Sequence, residues 1–290
     1  MRAVMDASIY TQPKVDTHCH VLDPDSFAYG DTVAYRPAGQ ETGSAAYFEQ
    51  VLDAYGVQHA LLVGPNSGYG LDNRCLLAAI AASPKRFKGI AVVANDATVS
   101  YLQELKAQGI VGVAFNYALH GLDHYADAAS LMERLAALGM FVQVQFELAQ
   151  MKALKPLLLA SGAQLLLDHC GRPDVSAGLD GEGFAAVLQL AASGRATVKL
   201  SGFAKFSAQP FPFDDTLPWV QALLAAYSPD HCIWASDWPF LKAPHRLDYG
   251  PLLQLFARQV PGAADRQQIL WDTPRRLFGF ASSPNLLSNQ

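Results

Sequence analysis

The residues able to do chemistry concentrate in three short segments. Val15-Asp16-Thr17-His18-Cys19-His20 forms the first β-branched run, and an extended backbone turns every second side chain to the same face. His18 and His20 therefore point together, and Cys19 points away. Two imidazoles at one strand end can hold a metal ion or a polarised substrate atom without the slack of a loop. Further along, Leu167-Asp168-His169-Cys170-Gly171-Arg172-Pro173 and Trp234-Ala235-Ser236-Asp237-Trp238-Pro239 each close another apolar run. His169 alone reads as a hydrogen-bonded turn histidine, and Asp237 alone as an N-cap. Asp16 and Asp168 read as structural carboxylates, although one adjacent to an imidazole can also orient it.

What joins these segments is the architecture that must position them. Short apolar runs alternate with Ala/Leu-rich stretches of helical spacing. The runs are 15–20, 59–64, 89–94, 110–115, 140–146, 164–168, 196–200 and 231–236. Helices are predicted over 45–55, 73–83, 99–108, 126–138, 149–160, 183–193, 216–227, 252–260 and 264–278. Several stop at glycine or proline, as helix C-termini do. Eight strands alternating with helices predict an α/β fold, a (β/α)8 TIM barrel. A doubly wound open sheet is the runner-up. It calls for a glycine-rich phosphate loop after an early strand, and the chain there reads HCHVLDPD. In a barrel the C-terminal strand ends meet at one mouth, so His18, His20, His169 and Asp237 are expected in one pocket.

Composition narrows the classes. The 290 residues are 51% hydrophobic and 16% charged, which suits a large core rather than disorder. The whole chain is expected to be a single barrel domain, with 1–13 an N-terminal extension and 281–290 a tail. A net charge of −5 without a Lys/Arg stripe makes nucleic acid and anionic membrane poor partners. The four cysteines form no C-x-x-C pair, no apolar run approaches a membrane span, and no signal peptide is evident. A cytoplasmic protein is expected, with a homodimer one assembly open to it.

DTHCH on strand one, LDHCGRP on strand six and WASDWP on strand eight together resemble the amidohydrolase superfamily. The closer likeness is to its lactonase branch, which includes 2-pyrone-4,6-dicarboxylate lactonases and sugar and muconolactone lactonases. GYGLDN at 68–73, VKLSG at 198–202 and ILWDTPRRLFGF at 269–280 extend the resemblance over nearly the whole chain. It implies a hydrolase that opens a small-molecule lactone, a catabolic task. The alternatives are a metal-dependent decarboxylase or other amidohydrolase of the same barrel, and a non-catalytic small-molecule-binding barrel. Two-metal members of the superfamily carry Lys on strand four and His on strand five. Here those strands read VGVAFNY and FVQVQFE, so a two-metal centre is not expected. The pyrone-dicarboxylate branch carries Arg where this chain has Ala114, and a further Arg near His120. Losing two carboxylate partners argues against that dicarboxylate as substrate. Phe240 replaces the histidine that often follows D-W-P, which removes a polar group from the mouth.

For such a reaction Asp237 is the expected general base, taking a proton from water and passing it to the leaving alkoxide. His18, His20 and His169 are expected either to bind one divalent metal together with Asp237, zinc fitting best, or to polarise the carbonyl directly without metal. Both versions stand open at this point. Substrate contacts are expected from the loops: Asn66, Ser67 and Tyr69 after strand two, Asn116 and Tyr117 after strand four, Arg172 after His169, and Lys205 after strand seven. Tyr35, Arg36 and Tyr47 are placed to cover the pocket.

Overall fold

A computed structural model describes residues 6–281. Its centre is one sheet of eight parallel strands in the order of the chain. They are β1 (Lys14–Cys19), β2 (Val57–Val63), β3 (Phe87–Ala91), β4 (Ile110–Asn116), β5 (Phe141–Gln145), β6 (Leu165–Leu167), β7 (Ala196–Leu200) and β8 (Cys232–Trp234). The chain beyond β8 returns to β1. There Asp237 N donates to His18 O at 2.9 Å and His20 N to Trp238 O at 2.8 Å. These bonds join the first strand to the segment that follows the last, and the predicted (β/α)8 barrel is observed.

Local chemistry explains the crossovers. The helix Ala45–Ala54 begins on Ser44, whose hydroxyl accepts from Tyr47 N, and Val99–Ala107 begins on Thr98 in the same way. Gly56, after the first of these, has φ of 65°, a conformation that favours glycine. The predicted 264–278 helix is three pieces, Ala263–Gln267, a wide turn at Gln268–Asp272, and Thr273–Phe278. Of the N-terminal extension, Ser8–Thr11 forms one helical turn, while residues 1–5 lie outside the described residues, as does the tail from 282.

Two apolar clusters follow from alternation along the strands. The larger packs the outer strand faces against the helices and includes Cys19, Leu62, Val142, Val198 and Leu200. The smaller fills the lower barrel with Val15, Leu61, Ile90, Ala114, Phe141, Leu166 and Ile233, closed by Trp271, Phe278 and Phe280. Every strand but β7 feeds the smaller cluster. The β7 residues out of phase with its outer face are Thr197 and Lys199, both buried. Above this apolar layer the interior turns polar, and there the site is built.

Candidate active site

Local irregularities, rather than ideal strands, aim the key side chains. In β1 the pairing register with β2 shifts between Asp16 and Cys19. Val15 therefore packs in the lower interior, while His18 and His20 both line the mouth. Asp16 is turned away from the pocket. Its carboxylate accepts from Ser236 N (3.0 Å), Ser236 Oγ (2.5 Å) and the Tyr249 hydroxyl (2.9 Å). It thus ties β1 to the segment that carries Asp237, a structural role.

In β6 the strand ends at Leu167, and His169 and Cys170 take left-handed backbone angles, φ 52° and 56°. That turn lets the consecutive residues Asp168 and His169 both line the pocket, which a continuing strand forbids. Asp237 is also left-handed, φ 62°. Such angles cost non-glycine residues about 1 kcal/mol each and persist where surroundings hold them. Gly202 shows how tight the hold is: a Cβ there would lie 2.6 Å from the Cβ and Cγ of His169.

The result is a convergence on one atom. Asp237 Oδ1 lies 3.8 Å from His18 Nε2, 3.8 Å from His20 Nε2 and 3.7 Å from His169 Nε2. Its other oxygen is 3.0 Å from Lys205 Nζ. Each imidazole is anchored through its second nitrogen. His20 Nδ1 is 2.8 Å from the Val63 carbonyl, His169 Nδ1 is 3.1 Å from Ser201 Oγ, and His18 Nδ1 is 3.1 Å from Asp168 Oδ1. A carbonyl only accepts, so His20 carries its proton on Nδ1 and turns a bare Nε2 to the centre.

Burial and charge set the ionisation. Burial alone raises the Asp237 carboxyl, but Lys205 and the three imidazoles outweigh it and hold the group well below the usual carboxylate range. Burial, aided by neighbouring His18, pushes His20 down to about 4. Burial likewise pushes His169 well below its ordinary value, against the pull of Asp237. Near neutral pH the Asp237 carboxylate is therefore ionised and faces the neutral rings of His20 and His169.

The ligand atoms of His18, His169 and Asp237 all lie within 4.8 Å of one another, a spacing that fits a metal ion. His20 reaches Asp237 but stands outside that mutual set. Nitrogen-rich donors with one carboxylate oxygen suit zinc. Tetrahedral bonds of about 2.1 Å place ligand atoms about 3.4 Å apart. The 3.7–3.8 Å separations found here are slightly wider.

These groups floor a pocket of about 410 Å³. Asn66, Ser67, Asn116, Arg172 and Lys205 line it as expected, and Ala114 contributes a methyl to its wall. Arg172 is held by Glu147 at 2.8 Å, and Asn66 lies 3.2 Å from His120 Nε2. Tyr69 and Tyr117 do not reach the pocket. Tyr69 is buried under the first long loop, where its hydroxyl accepts from Asp23 N at 3.0 Å. Tyr117 starts a short helix that turns its ring into the core beside Tyr125. In both, an aromatic side chain on a mouth loop gains more from burial than from standing in water. Of the expected cover, Tyr35 bonds Glu41, Arg36 bonds the Gly30 and Asp31 carbonyls, and Tyr47 is exposed beside Trp238; none lines this pocket. Phe240 lies outside the lining as well.

Sequence reading missed two polar groups at the floor, Gln143 in the pocket lining and Lys199 beneath it. Lys199 Nζ, fully buried, lies 2.6 Å from Gln143 Oε1, 3.1 Å from Asp168 Oδ1 and 3.2 Å from His18 Nδ1. Gln143 Nε2 donates to Asp168 Oδ2 at 3.1 Å. The signal was the polar alternation in FVQVQ and ATVKL.

The amidohydrolase family model matches residues 15–280. The chain belongs to the amidohydrolase family. It is 31% identical to a 4-sulfomuconolactone hydrolase of Rhizobium radiobacter, over 91% of this chain and 89% of that one. It is 29% identical to a 2-pyrone-4,6-dicarboxylate hydrolase of Comamonas testosteroni, over the same shares. The crystal structure of a probable 2-pyrone-4,6-dicarboxylic acid hydrolase from Acinetobacter baumannii, with citric acid bound, superposes with a TM-score of 0.83 at 30% identity. That match covers 92% of this chain and 99% of the other. As an amidohydrolase, the chain has its pocket at the mouth where barrel enzymes work. Among its described residues no helix is long and apolar enough to cross a membrane.

Proposed function

We propose that this chain hydrolyses a small-molecule lactone, opening the cyclic ester with water, and that the whole chain works as a single barrel domain. One observation carries the reading: three imidazole Nε2 atoms converge on one oxygen of Asp237 at the floor of an open pocket. Relatives near 30% identity named as lactone hydrolases support it.

Asp237 is the general base. Its carboxylate is ionised well below neutral pH, and Lys205 fixes one oxygen so that the other faces the imidazoles. It accepts the proton of the attacking water and returns it to the alkoxide released when the ring opens. His18, His169 and Asp237, with His20 beside them, are the residues that would hold one divalent cation. When bound, such an ion lowers the pKa of water and polarises the lactone carbonyl. His20 and His169, neutral near pH 7, present uncharged rings suited to that task. Asn66, Ser67, Asn116 and Arg172 orient the substrate ring and its substituents. With Ala114 in the wall and Arg172 engaged by Glu147, the pocket lacks the paired free arginines a dicarboxylate calls for.

One observation favours a metal-free variant. Ser201 Oγ can donate as well as accept, so His169 can carry its proton on Nε2 and give a hydrogen bond to the carbonyl oxygen. Elemental analysis of purified protein, with a panel of sugar, muconolactone and pyrone lactones before and after chelation, separates the variants. Turnover of at least one lactone, abolished in Asp237→Asn, is the expected result. If no lactone is opened, or Asp237→Asn stays within a few-fold of the parent, the proposal falls.

A further inference from the structure

The reaction sketched above leaves three buried groups, Lys199, Gln143 and Asp168, without a role. Together with His18, which they adjoin, all are at most 2% exposed. Packing alone does not call for them, since the same barrel interior one layer lower is filled by Leu61, Ile90, Leu166 and Ile233. A buried ammonium and carboxylate are costly to desolvate unless their geometry is closely satisfied.

The geometry here is closely satisfied, and it is directional. Lys199 has Gln143 Oε1 at 2.6 Å and Asp168 Oδ1 at 3.1 Å. Gln143 spans the pair, accepting from Lys199 with its oxygen and donating to Asp168 Oδ2 with its nitrogen. Both oxygens of Asp168 are thereby fixed, with Oδ1 set 3.1 Å from His18 Nδ1. We propose that Lys199 and Gln143 are positioning residues. They hold Asp168 so that it accepts a hydrogen bond from His18 Nδ1–H, which leaves a bare Nε2 turned toward Asp237. His20 reaches the same tautomer through the Val63 carbonyl, so both histidines of β1 face the reacting centre as acceptors. The alternative is built into the same contacts. Lys199 Nζ is also 3.2 Å from His18 Nδ1, and a proton given along that line puts the ring proton on Nε2 instead.

Nitrogen NMR of histidine-labelled protein, with His18 assigned from a His18→Asn variant, separates the two. The expected result is the Nδ1–H form at His18 in the parent. The double variant Lys199→Met/Asp168→Asn removes both buried charges together and is expected to abolish that preference. Outer partners of this kind are worth about 10- to 100-fold, so kcat should fall by that much while KM changes less than about threefold. Gln143→Leu, which frees one Asp168 oxygen, should lower kcat by about 3- to 10-fold. It also carries both readouts if the double variant does not fold. A parent His18 protonated on Nε2 overturns the proposal. So does a variant with the His18 signal unchanged and kcat within about threefold of the parent. The rate arm rests on the lactonase reading, whereas the tautomer arm does not, so a protein inactive on every lactone still tests the clamp.

Discussion

The interior of this barrel has two layers stacked within one ring of strands. The lower holds Val15, Leu61, Ile90, Phe141, Leu166 and Ile233 under a plug of Trp271, Phe278 and Phe280. The upper holds His18, Gln143, Asp168, Lys199 and His169, with Asp237 above. Both layers are buried to a similar degree. The lower gains stability from apolar area and needs only volume and shape. The upper must satisfy each polar group by name, and left-handed residues at His169 and Asp237 are kept for aim rather than for stability. Stability and chemistry are thus separated by height along a few strands.

Substitutions should respect that separation. Asp237→Asn, nearly isosteric, is expected to lower kcat by roughly 10³-fold, the scale of a lost general base, with thermal unfolding little changed. A steady-state assay beside a melting curve measures both. Leu166→Ala, in the lower layer and fully buried, should do the reverse. A loss of roughly 2–5 kcal/mol in denaturant unfolding is expected, with kcat largely kept. Should Leu166→Ala abolish activity at an unchanged midpoint, the two layers are not independent.

Acid should act on the upper layer. The folded pKa of His20 lies near 4, below the ordinary 6.5. Between those values the unfolded chain binds the extra proton and the folded one does not, so stability is present above about pH 6.5 and is lost as pH falls toward 4. A shift of that size corresponds to roughly 3 kcal/mol. Unfolding measured across that window should show the loss, and His20→Asn should reduce it, with the depressed His169 supplying the remainder. Gly202→Ala should press on the His169 ring, misplacing it at a cost of up to about 10²-fold in kcat. At the rim, Arg172→Ala should change KM by only a few-fold, because the guanidinium already belongs to Glu147.

Much of this was legible in the chain itself. The alternation of apolar runs and helical stretches predicted the barrel. Its strand ends predicted that His18, His20, His169 and Asp237 share a pocket, because chemistry-bearing types at three strand ends have little structural excuse. The interior partners were harder. FVQVQ and ATVKL alternate apolar with polar, and in an isolated sheet the polar face goes to water. Closing the sheet turns that face inward, so Gln143 and Lys199 become buried instead of solvated. Tyr69 and Tyr117 failed in the opposite sense, because a position on a mouth loop does not say which way a ring turns.

The sequence by itself determined the elements, their order and the four residues at the strand ends, because periodicity and side-chain type are local properties. Only the tertiary structure decided their aim. A register shift in β1 and left-handed turns at His169 and Asp237 place three imidazoles within 3.8 Å of one oxygen, and no local pattern encodes them. Each conformation is unfavourable alone and is held only by packing against distant strands.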